Sequence, residues 1–542
     1  MASAPQLVVE GELRSVNPAT LELVGVVPVT PPEEVAGLVA EAANAQEKWG
    51  ATSFDERRAL LLRVARTLLE RMDDIAATVT AETGKPIVES FTNELLLAVE
   101  QVVWLASHAE RVLAPERLRF GIPYLAHKRA HVVYEPLGVL GIIAPWNFPF
   151  SIPLTQVAMA VAAGNAVVLK PSELTPLSGD WVARVFAEAG APDGLVRVAQ
   201  GAGETGGALV TAPGVAKLIF TGSGATGRRI LASAAELLRP VVLELGSKDP
   251  MLVFEDADLR RAVGGALWGS FANCGQVCVG VERIYVAREL HDRFVSELSR
   301  RATELRIGLG EDPGTELGPL ISEQQRAKVE DLVSEAKERG AEAIVGGRRP
   351  ALDLPGWFYE PTVLTGGDPA ARIEREEVFG PVVTVRPFDD EDEAVALANA
   401  SPYGLGASVW TRNPERARRV GARIDAGMVW TNDIGYSYGA GPAPWGGTKQ
   451  SGFGRTHGKH GLFECSQIKL VDADSGRVPV LWWYPYSRGT LDGFKGVVEL
   501  LHGDAKLRAL WKHRRGLAQL VRRAVRAEVR GAALSSEEKS AP

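Results

Sequence analysis

"PLGVLGIIAPWNFPFSIPLTQVAMAVAAGNAVVL", residues 136–169, runs for 34 positions without a charged side chain. As one helix, a stretch that long and apolar would reach across a bilayer. Pro145, Pro149 and Pro153 interrupt it, with Asn147 between the first two. Each proline lacks a backbone donor and clashes with the turn before it, which breaks a continuous helix. The parse that fits is a strand (139–144), a proline-rich loop, a short helix (152–163) and a second strand (166–170). Strands buried on both faces of a parallel sheet read as unbroken apolar runs. The fold class is therefore α/β.

Outward from this stretch the alternation continues. "HVVYEPLGVLGIIAP", "AVVLKP", "LVRVAQG", "AKLIFTGS" and "PVVLELGS" are strand-like, with helical pieces such as "SGDWVARVFAEAG" between them. That is a doubly wound α/β pattern. A second α/β stretch, 250 to 450, carries "ERIYVA", "VVTVRPF", "GASVWT" and "GMVWTN". Upstream the pattern is helical. "PPEEVAGLVAEAANAQEKW" opens on proline and acid, as helix N-termini favour. Ser53 with Glu56 has the form of a capping box opening one helix, "DERRALLLRVARTLLERMDDIAATVTAETG", which a glycine closes.

At 542 residues the chain is too long for a single core. Its 46% apolar and 23% charged residues suit a soluble enzyme. A net charge of -7 argues against nucleic acid as partner. Three cysteines cannot form a disulfide framework and suit a reducing compartment. The opening "MASAPQLVVEGELRS" lacks the basic start and apolar run of a signal peptide. The expected location is the cytoplasm. The tail differs: residues 505–530 carry nine Lys/Arg and one acid, with leucines and valines at helical spacing. Such a basic amphipathic helix either lies on an anionic membrane surface or packs its apolar stripe on the body or a partner subunit. The last dozen residues are expected to be disordered.

"NCGQVCVGVER", 273–283, holds two of the three cysteines. They read as half a metal site, a disulfide, two small buried hydrophobes, or a reactive thiol beside a bystander. A metal needs four ligands, and no second Cys/His pair is placed to supply them. Geometry disfavours a disulfide across four residues here. "FTGSGATG", 220–227, fits G-x-G-x-x-G at Gly222, Gly224 and Gly227, after a strand and opening a helix. Such glycines let the backbone approach a pyrophosphate at the helix N-terminus. Glu244 lies at the spacing of a ribose-binding acid, but it ends a later strand and several strands precede the loop, so that role does not fit it.

Seven motifs now stand in order: "PWNFP" (145–149), "KPSELTP" (170–176), "FTGSGATG" (220–227), "LELGSKDP" (243–250), "GQVCVG" (275–280), "EEVFGPV" (376–382) and "PWGGTKQSGFGRTHG" (444–458). Over residues 15 to 472 the chain resembles the NAD(P)-dependent aldehyde dehydrogenase superfamily. The resemblance implies a Rossmann-like NAD-binding domain (1–117 and 137–246), an α/β catalytic domain (247–448) and a small β oligomerisation arm (118–136 and 460–475). A C-terminal extension (476–542) follows. It makes Cys278 the nucleophile, while Cys274 matches no catalytic position and Cys465 is expected as a packed thiol in an edge strand.

The chemistry asks for these residue types. A thiolate adds to the aldehyde, and hydride loss from the tetrahedral adduct leaves a thioester. By the resemblance, Asn147 and the backbone N–H of Cys278 hold the oxyanion. Glu244 is the general base for the hydrolytic water and for the thiol. Acyl-transferring, coenzyme A-dependent relatives lack that carboxylate, so a free acid is the expected product. A non-catalytic protein is argued against by the intact Cys278, Glu244 and Asn147. For the cofactor, Lys170 and Glu173 resemble the pair at the adenosine ribose. A carboxylate there repels a 2′-phosphate, which favours NAD over NADP. Gly222 and Ser223 belong at the pyrophosphate, Gly227 at a close helix contact, and Glu377 and Phe379 at the nicotinamide ribose and ring. Pro145, Trp146, Ser172, Gly203, Leu245 and Gly246 complete the implied cofactor set, and no metal is implied.

Ser247 departs from the family's usual glycine and is expected to put a hydroxyl near the base. "FAN" puts Ala272 where succinate-semialdehyde relatives carry arginine, which disfavours that alternative. "GQVCVGVER" and "NDIGYSYGAGPAP" resemble the carotenoid-dialdehyde branch. With valines flanking Cys278, they suggest a medium- to long-chain or aromatic aldehyde. The implied assembly is a homodimer or homotetramer.

Overall fold

The computed structural model describes residues 8–122, 125, 127–474 and 480–537. The chain falls into two compact units: residues up to 114 with 134–467, and 115–133 with 468–542.

In the first unit the uncharged stretch forms strand Val139–Ile143, helix Ser151–Ala162 and strand Ala166–Lys170, every residue of them buried. The helix is apolar all round because it is packed all round. Among the described residues no helix is long and apolar enough to cross a membrane. The first sheet runs Gly452–Phe453, Val241–Glu244, Val215–Thr221, Val139–Ile143, Ala166–Lys170, Val196–Val198. Gly452–Phe453 pairs antiparallel and the others pair parallel. Chain order reverses between Val139–Ile143 and Val215–Thr221. At such a switch point a crevice opens beyond the carboxyl ends of the strands.

The second sheet runs Ala341–Val345, Thr362–Gly366, Val382–Phe388, Val281–Ala287, Asp249–Val253, Gly406–Trp410, Met428–Thr431. It is parallel apart from its antiparallel edge Ala341–Val345. Each sheet has its own apolar core, one around Leu140, Phe150, Val157, Phe186 and Leu218, the other around Val253, Phe271, Ile284, Phe294 and Leu332.

Ser53 caps helix Phe54–Glu70: Glu56 N–H donates to Ser53 Oγ (3.3 Å) and Ser53 N–H donates to Glu56 Oε2 (2.8 Å). The single helix expected here breaks at Arg71 (φ -110°, ψ 10°). Arg71 is drawn to Glu188 at 2.9 Å, and Asp73 and Asp74 start a new helix, Met72–Thr83. Cys465 lies not in a strand but at the C-terminal cap of helix Gly458–Glu464, where its carbonyl accepts the Asn165 amide at 2.8 Å.

Glu116–Leu118 and Arg129–Pro136 pair antiparallel, with Ser466–Ala473 as the third strand of a sheet that belongs mostly to the second unit. The start of the second arm segment is helical, and positions 123, 124, 126 and 475 of the expected arm lie outside the described residues. Helices Arg488–His502, Lys506–Lys512 and Arg514–Glu537 follow. The basic region is thus two helices, broken at His513 (φ -101°), whose ring is held by Asp492 at 2.7 Å. Of the last dozen residues, 531–537 are helical, contrary to the expected disorder, because they continue the long helix that starts at Arg514; 538–542 lie outside the described residues.

Candidate active site

At the switch point lies a cleft of about 560 Å³, within the range of roughly 300–1,000 Å³ common for small-molecule sites. Pro145, Trp146, Lys170, Ser172, Glu173, Gly203, Gly222 and Ser223 line it. Deeper, Pro145, Trp146, Gly222 and Ser223 share a cavity with Leu245, Gly246, Glu377 and Phe379, and with Asn147, Glu244 and Cys278. Of the expected cofactor residues only Gly227 lines neither. A Cβ there would come within 2.6 Å of Leu245 Cδ2, so it is a packing glycine. Ser223 caps helix Gly224–Glu236 and accepts from Thr226 N–H at 3.3 Å. The free N–H groups of that helix end favour an anion.

Lys170 Nζ donates to Pro171 O (2.7 Å) and to Glu173 Oε2 (3.1 Å), and burial lowers its pKa. Trp146 meets Phe379 edge to face at 5.3 Å. Glu377 accepts from Ser247 N–H at 2.7 Å; burial, then the Glu282 charge, push its carboxyl up to about 7. A Cβ at position 246 would stand 2.6 Å from the Glu377 carboxylate, so the backbone must be bare there. The hydroxyl of Ser247 turns to Asp249 and donates to it.

Cys278 lines two cavities at once. One is the deep end of the cofactor cleft; the other is a narrow pocket walled by Phe148, Trp268, Val277, Val279, Tyr438 and Trp445. Burial, then the carboxylates of Asp249, Glu244 and Glu377, push the thiol up, and Val279 N–H opposes them. Glu244 is only 5% exposed, and among the described residues neither carboxylate oxygen has a hydrogen-bond partner. Burial holds its pKa well above the carboxylate range against the pull of Arg455. Asn147 Nδ2 gives one hydrogen to Gln276 O at 3.0 Å, which leaves its second for another acceptor. Cys274 is packed in the core of the second sheet, away from both cavities.

The turn that leads to the nucleophile is strained. Asn273 (φ 49°), Cys274 (φ 56°) and Gly275 (φ 70°) are left-handed in succession, at about 1–2 kcal/mol for each residue bearing a Cβ. Asn273 N–H donates to Glu89 (2.8 Å), and its amide donates to Asn147 O (3.0 Å) and Gln276 O (3.1 Å). Asn147 O also accepts from the buried Lys85, which pairs with Glu94 at 2.7 Å. Glu94 in turn accepts from Ser151 N–H at 2.6 Å. Breaking such a pair from one side leaves a buried charge unpaired, so Glu94→Ala should lose about 3–5 kcal/mol of stability. Denaturant unfolding checks this; a variant as stable as the parent would deny the pair its holding role.

No sequence signal assigns Phe148, Trp268, Tyr438 and Trp445 to the second pocket, nor Thr221, Thr226, Arg229, Gln325 and Lys328 to the cofactor cavities. They come from segments far apart in the chain, and no spacing links them.

The model of the "Aldehyde dehydrogenase family" matches residues 8–471. The chain is 39% identical to betaine aldehyde dehydrogenase of Sinorhizobium fredii, over 86% of this chain and 94% of that one. It is 36% identical to the peroxisomal aminoaldehyde dehydrogenase 1 of Pisum sativum, over 90% of this chain and 99% of that one. An NAD+ complex of an aldehyde dehydrogenase from Bacillus cereus superposes with a TM-score of 0.82 at 35% identity, covering 86% of this chain and 93% of that one.

Proposed function

Since this chain belongs to the aldehyde dehydrogenase family, we propose that it oxidises an aldehyde to the free carboxylic acid with NAD, through a thioester on Cys278. The observation that carries this reading is the position of Cys278, shared between a nucleotide-sized cleft and an aromatic pocket, with the unpartnered Glu244 carboxylate beside it. The cleft fits the cofactor: it has a capped helix end for the phosphates, bare backbone at Gly222 and Gly246, and Glu173 held by Lys170 where a ribose diol is expected. A fixed carboxylate there favours NAD over NADP. When bound, the nicotinamide supplies the hydride acceptor.

The chain's own residues do the rest. The Cys278 thiol gives its proton to solvent through the cleft as Sγ adds to the aldehyde carbon, which leaves Glu244 ionised for the later step. The oxyanion of the thiohemiacetal accepts from the spare Asn147 amide hydrogen and from Cys278 N–H, the kind of donor whose loss costs about a hundred- to a thousandfold in rate. After oxidation, Glu244 accepts a proton from the water that attacks the thioester, and the acid leaves. The domain limits, the pairing of subunits through the arm sheet and the dimeric or tetrameric state read from the sequence belong to this same proposal. Leu470 and Val471, exposed on strand Ser466–Ala473, support the pairing.

For the substrate, the second pocket offers rings and aliphatic side chains and, among the described residues, no charged group, with Asn93 as its polar edge. We read it as taking an uncharged apolar tail. A second reading, a quaternary ammonium held on the ring faces, is favoured by the relatives' names and by the four aromatic walls. Betaine aldehyde and its neutral isostere tert-butylacetaldehyde separate the two. A desolvated cation–π contact is worth roughly 2 kcal/mol, or about thirtyfold in kcat/KM. The first reading expects the isostere to be oxidised at least as well as betaine aldehyde. A clear preference for the cation would replace it with the second, and failure of both beside succinic semialdehyde would sink both.

A further inference from the structure

The matched family region ends at residue 471, and the second unit continues past it with a helical module of its own. Its inner side is closed. Helix Arg488–His502 crosses helix Arg514–Glu537 so tightly that a Cβ at Gly493 would stand 2.6 Å from Gly516 O. One at Gly496 would stand 2.6 Å from His513 Cβ. Asp492 and Glu499 bind His513, and Leu520 is buried in the same contact. Arg523 donates to the carbonyls of Trp483 and Pro485 and so ties the preceding aromatic segment to the long helix.

Among the described residues the outer side is left uncovered. Trp483 is 66% exposed, Tyr484 81%, Trp511 72% and Leu507 84%. Leu491, Val498 and Leu501 line one exposed face of the first helix, and Leu510 adjoins Trp511 on the second. Internal packing therefore uses one stripe of these helices and leaves a second apolar stripe in water. Cations sit among the exposed rings: Lys506, Arg508, Arg514, Arg515 and Arg522 are all exposed, and Arg514 stacks on Trp511 at 4.4 Å. Residues 506–526 contain no acid at all, in a chain whose net charge is -7.

Indole and phenol rings and cations, on and just before helices that among the described residues are not apolar enough to span a bilayer, match the headgroup zone of an anionic membrane. We propose that the module docks this enzyme on an anionic lipid surface, its exposed rings and leucines entering the headgroup region and its cations meeting the lipid charge. The charge sign selects anionic over zwitterionic lipid, and the ring-and-cation mixture selects lipid over a purely charged partner.

The test is flotation of the full-length protein with vesicles of phosphatidylcholine, with and without phosphatidylglycerol. The protein should float with the mixed vesicles, weakly at high salt, and not with phosphatidylcholine alone. Each cation near such a surface contributes roughly fivefold in affinity, so Lys506→Gln/Arg508→Gln/Arg515→Gln should bind about a hundredfold more weakly. Trp483→Ala/Trp511→Ala should also lose binding. Both variants alter exposed side chains far along the chain from Cys278 and should keep full activity on a soluble aldehyde. Failure of the parent to float with the mixed vesicles at low salt overturns the proposal, as does equal binding by the triple variant. So does a tryptophan variant that keeps vesicle binding and instead falls from oligomer to protomer, since the surface would then be a contact with a second copy.

Discussion

With Cys278 replaced by alanine, NADH formation from any aldehyde falls by at least about 10⁴-fold while NAD binding persists. The loss is large because no other thiol can substitute. Cys274 is four residues away in sequence but buried in the core of the second sheet, and Cys465 is sealed at a helix cap. Burial raises the pKa of Cys274, with the Glu89 carboxylate second, and raises that of Cys465 to about 12. Neither lines the cofactor cleft or the aromatic pocket, so neither reaches an aldehyde there. Cys274→Ala should therefore keep its turnover and lose only packing. Absorbance of NADH under saturating aldehyde measures turnover, and titration of NAD against protein fluorescence measures binding. If Cys278→Ala turned over within tenfold of the parent, or if Cys274→Ala were the dead variant, the assignment of the nucleophile would be wrong.

How far the sequence carried the structure depends on whether a signal was local. The stretch 136–169 betrayed its strands because burial on both faces leaves no polar position, and three prolines forbade the helix that length alone suggested. The glycine at 222 was legible because a close backbone approach demands a residue without a side chain. The motifs brought Cys278, Glu244 and Asn147 to one cavity because each lies at the end of a strand, just beyond one, or at a turn whose course the sheet fixes. The second pocket was not legible. Phe148, Trp268, Tyr438 and Trp445 meet only after both sheets have formed, and each alone reads as core. Nor was the Lys85–Glu94 pair, which looks like two solvated charges until burial removes the water. The breaks at Arg71 and His513 escaped for a related reason: both are set by partners distant in sequence, Glu188 and Asp492, while helical periodicity runs straight through them. Ser247 shows the limit within a motif. Its presence was visible, but the direction of its hydroxyl, toward Asp249, depends on a second sheet.

Glu244→Gln should slow steady-state turnover by about 10²–10⁴-fold and leave the acyl group on Cys278. The amide keeps size and shape but cannot take a proton from water, so the step that fails is release of the acid. Quenching the variant during turnover and weighing the peptide that carries position 278 should show the acyl mass. A variant that turns over slowly with no acyl mass would move Glu244 out of hydrolysis. The pH dependence adds an independent readout. A general base works ionised, and burial raises the Glu244 pKa, so the parent's deacylation rate should climb with pH through a range well above that of an ordinary carboxylate. The variant should lose that limb. Stability moves in the opposite sense. A carboxyl whose folded-state pKa lies above its unfolded value holds its proton more tightly when folded, so its contribution is full below the unfolded pKa and declines as pH rises toward the folded one. Glutamine carries no charge at any pH, so the variant should gain stability on the parent as pH rises. A protein that grows more stable while its acyl-enzyme stops hydrolysing cannot be explained by misfolding. Both changes would then trace to the same unpartnered carboxylate.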